Sequence, residues 1–258
     1  MSWLEALILG IIQGLTEFLP VSSSGHLEIG KALLGIDAEK SLMFTVAVHG
    51  ATVLSTIIVF RKEIMELIAG FFRFQWNPET QYLLKIIVSM LPVGLVGLFL
   101  KEELEGLFNG NVNLVGFFLL ITAFLLTLSH FAKPGERKIT AKNAFLVGLA
   151  QALAVLPGIS RSGATISTGL MLGIKREEIA KFSFLMVLIP ILGENFLEIL
   201  GGEMATATIG TTALLVGSLA AFISGLLACT WMLLLVKKGK LIWFALYCAL
   251  LGIIAIIL

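Results

Sequence analysis

The stretch "LPVSSSGHL" (residues 19–27) interrupts an apolar segment with a proline, three serines, a glycine and a histidine. A second stretch, "LPGISRSGAT" (residues 156–165), interrupts another apolar segment in a similar way and adds an arginine. Proline and glycine disfavour helix interiors and serine caps helix starts, so each stretch predicts a break between two short helices. Two short helices joined by such a break are typical of a re-entrant hairpin in a membrane.

The composition around both breaks is that of an integral membrane protein. Of the 258 residues, 58% are hydrophobic and 14% are charged, whereas soluble domains have roughly 25% charged residues. The mean hydropathy is +1.01. The net charge is only +1, and the basic residues form short clusters between apolar runs, which argues against nucleic-acid binding. We therefore expect an all-α polytopic membrane protein.

Six apolar segments are long enough to cross a bilayer, which takes about 20 mostly apolar residues. Two further segments, residues 3–19 and 144–156, are too polar or too short, and each ends at one of the breaks. Beyond the breaks, second short helices are predicted at residues 26–34 and 164–172. The predicted fold therefore has two re-entrant hairpins and six transmembrane helices, at residues 41–60, 83–100, 112–131, 179–200, 211–236 and 241–258.

The two hairpins match each other at a constant offset of 138 residues. Gln13 matches Gln151, and the break residues Ser22 and Gly25 match the corresponding serine and glycine of the second hairpin. Three predicted spans follow each hairpin, so the second copy has the opposite orientation in the membrane. We interpret the chain as one membrane domain built from an inverted-topology repeat, with copies at approximately residues 1–132 and 139–258.

The charged loops predict the orientation of the chain. Basic residues cluster in segments that fall on one side when six spans are counted: residues 61–85, 133–142, 175–181 and 237–240. The loops on the other side carry more acidic than basic residues: 37–40, 101–106 and 201–207. By the positive-inside rule the basic side is cytoplasmic. The hairpins then enter from opposite sides, and their polar tips can meet inside the membrane.

Glu17 and Arg161 are charged residues beside the two breaks, at a depth where a charge costs at least about 2.5 kcal/mol. Function is the favoured reason for them, and a purely structural ion pair is the alternative. The serines lie where each second half-helix begins, so we expect them to cap free backbone N–H groups. Two helix N-termini, glycines that allow close approach and the planar guanidinium of Arg161 predict a phosphate or diphosphate site.

Acid and base groups are predicted beside the anion site. Gln13 and Glu17 share one face of the first half-helix, and His26 is predicted to begin the partner half-helix. A carboxylate, hydroxyls and an imidazole near a phosphate favour phosphoryl transfer. A structural role for His26 and attack by water rather than serine stay open as alternatives. For His49, on a span, an interhelical hydrogen bond is favoured over a role in the cavity.

The segments "QGLTEFLPVSSSGH" and "PGISRSGAT" resemble the signature regions of bacterial undecaprenyl-diphosphate phosphatases, also called bacitracin-resistance proteins. The resemblance extends along the whole chain, including "FTVAVHGATVLSTIIVFRKEI" and "AFISGLLACTWMLLLVKKGKLIWFALYCALLGI". It implies a ten-helix fold in the bacterial inner membrane, with two re-entrant hairpins and an active site facing the periplasm. It also implies hydrolysis of undecaprenyl diphosphate to undecaprenyl phosphate and inorganic phosphate, which recycles the lipid carrier for cell-wall synthesis and gives bacitracin resistance.

The resemblance also implies roles for individual residues. Glu17 and His26 correspond to an acid/base and metal-associated pair. Arg161 corresponds to the phosphate clamp, and Ser23 to a proposed nucleophile or phosphate ligand. With the residues of the two helix N-termini, the expected phosphate-binding set is Ser22, Ser24, Gly25, Ser160, Arg161, Ser162, Gly163 and Thr165.

A divalent cation, Mg²⁺ or Ca²⁺, is the cofactor that the resemblance implies, with Glu17 and more weakly Gln13 as ligands. Gln13 stands where many members of the family have glutamate, so this helix offers one carboxylate instead of two. The implied partners are a polyprenyl diphosphate lipid and membrane lipids. A homodimer is an open alternative.

A transporter or flippase of a lipid phosphate is the competing interpretation. Inverted repeats with broken helices are typical of transporters, and the same anion site would serve transport. Transport alone does not need Glu17 and His26 beside that site. The sequence therefore favours an enzyme.

Overall fold

Twelve α-helices make up most of the residues that the computed structural model describes, which are 1–36, 41–100, 111–133, 135–200 and 209–257. These ranges contain no β-strand, only an isolated bridge between Arg137 and Ile174. The all-α prediction is confirmed. The helices are α1 (Trp3–Phe18), α2 (Ser23–Leu34), α3 (Leu42–Val59), α4 (Arg61–Phe71), α5 (Pro78–Phe99), α6 (Val112–Phe131), α7 (Ala141–Leu153), α8 (Arg161–Met171), α9 (Arg176–Met186), α10 (Leu188–Leu200), α11 (Thr211–Lys237) and α12 (Ile242–Ile257).

Four of these helices, α3, α5, α6 and α11, are long and apolar enough to cross a membrane, and α12 is a shorter apolar helix. Each coincides with a predicted span, so the chain is a polytopic membrane protein. The acidic loops at residues 37–40, 101–106 and 201–207 lie outside the described residues, as does residue 258 at the end of the last predicted span.

The span predicted at residues 179–200 is wrong as a single helix, because the structure divides it into α9 and α10. Pro190 lies in the first turn of α10 and has no backbone N–H to donate to the carbonyl of Met186, where α9 ends. A proline ring also clashes with that carbonyl in a continuous helix. The helix is therefore interrupted at Val187, between the two helices.

The two predicted hairpins are present as the helix pairs α1/α2 and α7/α8. The second helix of each pair starts at Ser23 or Arg161, slightly earlier than predicted. The residues immediately before these starts, Ser22 and Ser160, are the N-caps. The predicted serine caps are therefore confirmed.

Each hairpin is held by a span from the other half of the chain. α1 packs mainly against α11, α7 against α5, and α6 against α12. At the last of these contacts, a Cβ on Gly116 would lie 2.7 Å from the Gly252 carbonyl oxygen, and one on Gly252 would lie 2.8 Å from that of Gly116. Small residues allow such close approach, which is how helices associate in membranes.

The tips of the two hairpins touch. The Gly158 N–H in the second break donates to Ser22 Oγ in the first, at 3.0 Å. A Cβ on Gly25 would lie 3.2 Å from Gly158 Cα, and one on Gly163 would lie 3.4 Å from Pro20 Cβ. The expected meeting of the polar tips is therefore present.

Residues of the four basic segments lie together at one end of the helices. Lys181 Nζ is 3.6 Å from Glu63 Oε1, and Lys237 Nζ is 2.8 Å from Glu177 Oε1. The backbone N–H and C=O of Arg137 bond to the segment that leads into α9. The expectation that these segments share one side of the protein agrees with these contacts.

Replacing Gly158 tests how the tip of the second hairpin packs against α6. Gly158 has a φ of 100°, and an added Cβ would lie 2.5 Å from the Val115 carbonyl oxygen and 2.7 Å from Phe118 Cβ. We expect Gly158→Ala to lower the free energy of unfolding by about 2–5 kcal/mol, through backbone strain and overpacking, measured as a lower Tm in detergent. Gly94→Ala on α5, where a Cβ has nothing within 4 Å, should not lower the Tm. Equal Tm values for both variants would contradict the tip packing.

Candidate active site

Glu17 is the centre of a hydrogen-bonded group at the end of α1, and its side chain is only 8% exposed. Its Oε1 accepts a hydrogen bond from Arg161 Nη2 at 2.9 Å. Its Oε2 accepts from Ser23 Oγ at 2.6 Å and from Gln13 Nε2 at 2.9 Å. The structure thus brings together the predicted carboxylate, hydroxyl, amide and guanidinium.

Ser23 and Arg161 occupy the same position in the two hairpins, because each is the first residue of its second helix. Both side chains therefore start at a helix N-terminus, where the helix dipole is positive. Since the tips face each other, they approach Glu17 from opposite hairpins. The Arg161 side chain is 25% exposed, so its fork can also bind an anion in the cavity.

Ser22 and Ser160 shape the tips from within. Ser22 Oγ accepts from the Gly25 N–H at 3.3 Å, and Ser160 Oγ accepts from the Gly163 N–H at 3.0 Å. Ser22 has a φ of 69°, a region that strains residues with side chains. Its second acceptor bond, from Gly158, ties this strained turn to the other hairpin. These two hydroxyls hold the backbone that surrounds the site.

Among three further hydroxyl residues, Ser24 lines the cavity, whereas Ser162 and Thr165 support the backbone around it. Ser24 lines the cavity between the tips. Ser162 Oγ donates to the Leu19 carbonyl at 3.3 Å, and Thr165 Oγ1 donates to the Arg161 carbonyl at 2.8 Å. Ser162 and Thr165 therefore join the second hairpin to the first and support the turn that carries Arg161.

An open cavity of about 310 Å³ lies between the two tips. Its walls come from both hairpins, from the first half of α3, and from Val93 of α5 and Pro190 of α10. Its volume and polar lining suit a phosphate group rather than an apolar ligand. The polar lining residues are Thr16, Glu17, Ser22, Ser23, Ser24, Thr45, His49, Gln151, Ser160 and Arg161.

His26 is not among the residues that line this cavity, so the predicted gathering of His26 with Glu17 is not what the structure shows. His26 Nδ1 lies 2.7 Å from the Ser22 carbonyl oxygen, and Nε2 lies 2.7 Å from the Tyr247 hydroxyl. A carbonyl only accepts hydrogen bonds, so we assign the proton to Nδ1, and Nε2 accepts from Tyr247. The ring also stacks on Tyr247, with centroids 5.6 Å apart. Both nitrogens of His26 are therefore engaged away from Glu17.

His49 and Gln151 reach the site instead. His49 Nε2 lies 3.8 Å from Glu17 Oε2, and its Nδ1 lies 2.9 Å from the Thr45 carbonyl oxygen. An interhelical hydrogen bond is predicted for His49, but in the structure this residue lies in the cavity wall. Gln151 lines the cavity from α7. The signal for both was their polarity within apolar helices, but polarity alone does not say which way a side chain points.

Glu17 and Gln13 are the residues that could hold a divalent cation. Within the described ranges there is no group of three or more His, Cys, Asp or Glu side chains that could hold a metal. Gln13 Oε1 is buried and has no hydrogen-bond partner among the described residues. Mg²⁺ binds oxygen ligands and is commonly held by one or two carboxylates together with substrate phosphates. The donors therefore fit a cation shared with a phosphate.

The arrangement has the parts that phosphoryl transfer needs. Ser23 offers a hydroxyl that is already hydrogen-bonded to a carboxylate, at the short end of the distance range for a nucleophile and its base. Arg161 and the N-termini of α2 and α8 supply positive charge beside this pair.

The chain matches the family described as bacitracin resistance protein BacA over residues 6–254. It is 55% identical to an undecaprenyl-diphosphatase of Bacteroides fragilis over 261 residues, covering 100% of this chain and 98% of the relative. It is 56% identical to one from Christiangramia forsetii, covering 98% and 97%, and 39% identical to one from Methanobrevibacter smithii, covering 98% and 96%. Because the match spans nearly the whole chain and includes both hairpins, the protein belongs to the bacitracin resistance protein BacA family.

Proposed function

We propose that this protein hydrolyses undecaprenyl diphosphate to undecaprenyl phosphate and inorganic phosphate. The observation that carries the proposal is the 2.6 Å hydrogen bond from Ser23 Oγ to Glu17, whose other oxygen binds Arg161. The full-length relatives bear the name undecaprenyl-diphosphatase. This activity returns the lipid carrier to cell-wall synthesis and gives resistance to bacitracin.

In the first step Ser23 Oγ attacks the terminal phosphorus while the Glu17 carboxylate takes the hydroxyl proton. The bond between this phosphorus and the bridging oxygen breaks, and the lipid monophosphate leaves. Water then attacks the phosphoserine, the bond to Oγ breaks, and inorganic phosphate is released. Serine is preferred to water as the first nucleophile because Ser23 already directs its proton at Glu17.

Arg161 binds the phosphate oxygens and stabilises the charge that moves onto them. Its guanidinium has five N–H donors, so it can bind a phosphate while it keeps the bond to Glu17. The N-termini of α2 and α8 add a partial positive charge of about half an elementary charge each. These groups are fixed before substrate arrives, which is the condition for strong electrostatic stabilisation.

His26 is a positioning residue in this proposal. Its Nδ1 bonds the carbonyl of Ser22, directly before the nucleophile, and Tyr247 holds the other nitrogen. This fixes the turn from which Ser23 projects. An acid/base role, as the resemblance implies, would require His26 to leave both partners.

A divalent cation, Mg²⁺ or Ca²⁺, completes the proposed site. Glu17 and the unpartnered Gln13 Oε1 would hold it together with the substrate phosphates. When bound, such a cation neutralises phosphate charge. With one carboxylate available, the protein is expected to bind the cation weakly until the diphosphate is present.

We further propose six membrane crossings, one of them made by α9 and α10 together, two re-entrant hairpins, and an inverted repeat with copies at approximately residues 1–132 and 139–258. Matched contacts support the repeat: α1 packs on α11 as α7 packs on α5. Each tip glycine also packs against the break of the other hairpin. A broken helix is tolerated at membrane depth where it faces protein or a water-filled cavity.

The site is proposed to open to the periplasm from the inner membrane. Leu42 and Thr45, at the start of α3, line the cavity. The other end of α3 leads directly to Arg61 in the basic end of the molecule. Because basic ends face the cytoplasm, the cavity opens on the opposite side.

The comparisons do not support the transporter alternative, since the matched relatives are named as diphosphatases. The bond between Ser23 and Glu17 is also a feature that chemistry requires and transport does not. The enzyme is therefore the function that we propose.

Substitutions at the site test the proposed chemistry. Phosphate release from undecaprenyl diphosphate is measured with purified protein in detergent. Glu17→Gln and Ser23→Ala should each lower kcat by about 10²–10⁴-fold, and Arg161→Lys by about 10²–10³-fold. Glu66→Gln, on the exposed face of α4, should match wild type. A wild type without activity would refute the function, whereas high activity in Ser23→Ala would assign the attack to water.

His26 can be tested separately from the chemistry. His26→Ala should lower kcat by about 10–100-fold with little change in KM, because the turn before Ser23 loosens. His26→Asn can still donate to the Ser22 carbonyl and should recover part of the activity. Tyr247→Phe, which removes only the hydrogen bond to His26 Nε2, should have a kcat close to wild type. Equal loss in His26→Asn and His26→Ala, with an altered pH profile, would instead show proton transfer by His26.

Cation dependence is tested by chelation and titration. A chelator should abolish phosphate release, and added Mg²⁺ or Ca²⁺ should restore it. Gln13→Glu should lower the Mg²⁺ concentration needed for half-maximal activity, because it adds a second carboxylate. Full activity in the presence of the chelator would rule out the cofactor.

A further inference from the structure

Gln151 is a buried amide that the proposed chemistry does not use. Its side chain is 1% exposed, and neither Oε1 nor Nε2 has a hydrogen-bond partner among the described residues. Its counterpart Gln13 donates to Glu17, four residues further along α1. The position four residues after Gln151 is Val155, which has no polar side chain. A buried amide without partners is destabilising, so Gln151 suits a ligand better than it suits the fold.

Gln151 stands where the open cavity meets a smaller one. The smaller cavity has a volume of about 20 Å³, and Glu17, Arg161 and Thr165 line it together with Gln151. A single water needs roughly 10–15 Å³ of such volume and two to four polar partners. The smaller cavity therefore has the size and the lining of a site for one water beside the catalytic carboxylate.

We propose that this cavity holds the hydrolytic water and that Gln151 is its positioning residue. The inference rests on the proposed function and concerns its second step. Gln151 Oε1 accepts a hydrogen bond from one O–H of the water. The Glu17 carboxylate, having passed the Ser23 proton to the leaving lipid phosphate, accepts a hydrogen bond from the other O–H. The oxygen lone pair is then free to attack the phosphorus on Ser23.

The step balances without any further reactant. The water oxygen forms a bond to phosphorus as the bond from phosphorus to Ser23 Oγ breaks. The water proton passes to Glu17 and then to Ser23 Oγ, which regains its hydroxyl. Inorganic phosphate leaves through the open cavity.

The test uses Gln151→Met, which keeps the length of the side chain and removes both polar atoms. Phosphate release from undecaprenyl diphosphate and Tm are measured on the full chain in detergent. The variant should have kcat lower by about 10–100-fold, KM within about twofold of wild type and a Tm at least as high. A purely structural glutamine would instead lower the Tm and leave kcat intact.

Gln151→Ala provides a second measurement, in water containing methanol. The shorter side chain enlarges the cavity, so methanol can replace water and the ratio of methyl phosphate to inorganic phosphate should rise several-fold. Ser167→Ala is the matched control, because Ser167 Oγ is also buried without a partner in the described ranges but lines neither cavity. It should keep the wild-type kcat and product ratio.

Three outcomes would overturn the proposal while wild type remains active. They are a wild-type kcat in Gln151→Met, an unchanged product ratio in Gln151→Ala, and a raised KM with unchanged kcat, which would make Gln151 a phosphate ligand. An inactive wild type would refute the proposed function itself, so the two failures are distinguishable.

Discussion

The hydrogen-bonded ion pair between Glu17 and Arg161 is the interaction on which the site depends. It joins residues from the two hairpins at 2.9 Å, and the Glu17 side chain is nearly buried. An unpaired charge at membrane depth costs several kcal/mol, so neither residue is stable there without the other. The pair therefore requires both breaks to face each other.

The two hairpins share a backbone plan but carry different chemistry. Each has a serine N-cap, a glycine packed against the other tip, and a functional residue at the first helical position. That residue is Ser23 in one hairpin and Arg161 in the other. The same framework thus presents a hydroxyl from one hairpin and a guanidinium from the other.

Local sequence patterns predicted what depends on local structure. The caps and the shared face of Gln13 and Glu17 follow from spacing, whereas the meeting of the tips was predicted from the repeat and the charged loops. Pro190 is a sequence signal for the division between α9 and α10, but such a break is difficult to recognise within a long apolar segment.

The sequence did not predict the direction in which the site side chains point. His26 turns to Tyr247, which lies far along the chain, while His49 turns to Glu17. Both choices depend on how helices from distant segments pack. The unsatisfied amide of Gln151 likewise becomes visible only when its neighbours are known.

The unlike charges at the centre also limit how such a site can be assembled. Two copies of the first hairpin would oppose two Glu17 carboxylates, and two copies of the second would oppose two Arg161 guanidinium groups. Either symmetric pair would bury like charges in the membrane. A homodimer of one hairpin and its neighbouring helices could form a similar framework but not the site, whereas a single chain ensures that every molecule contains one hairpin of each kind.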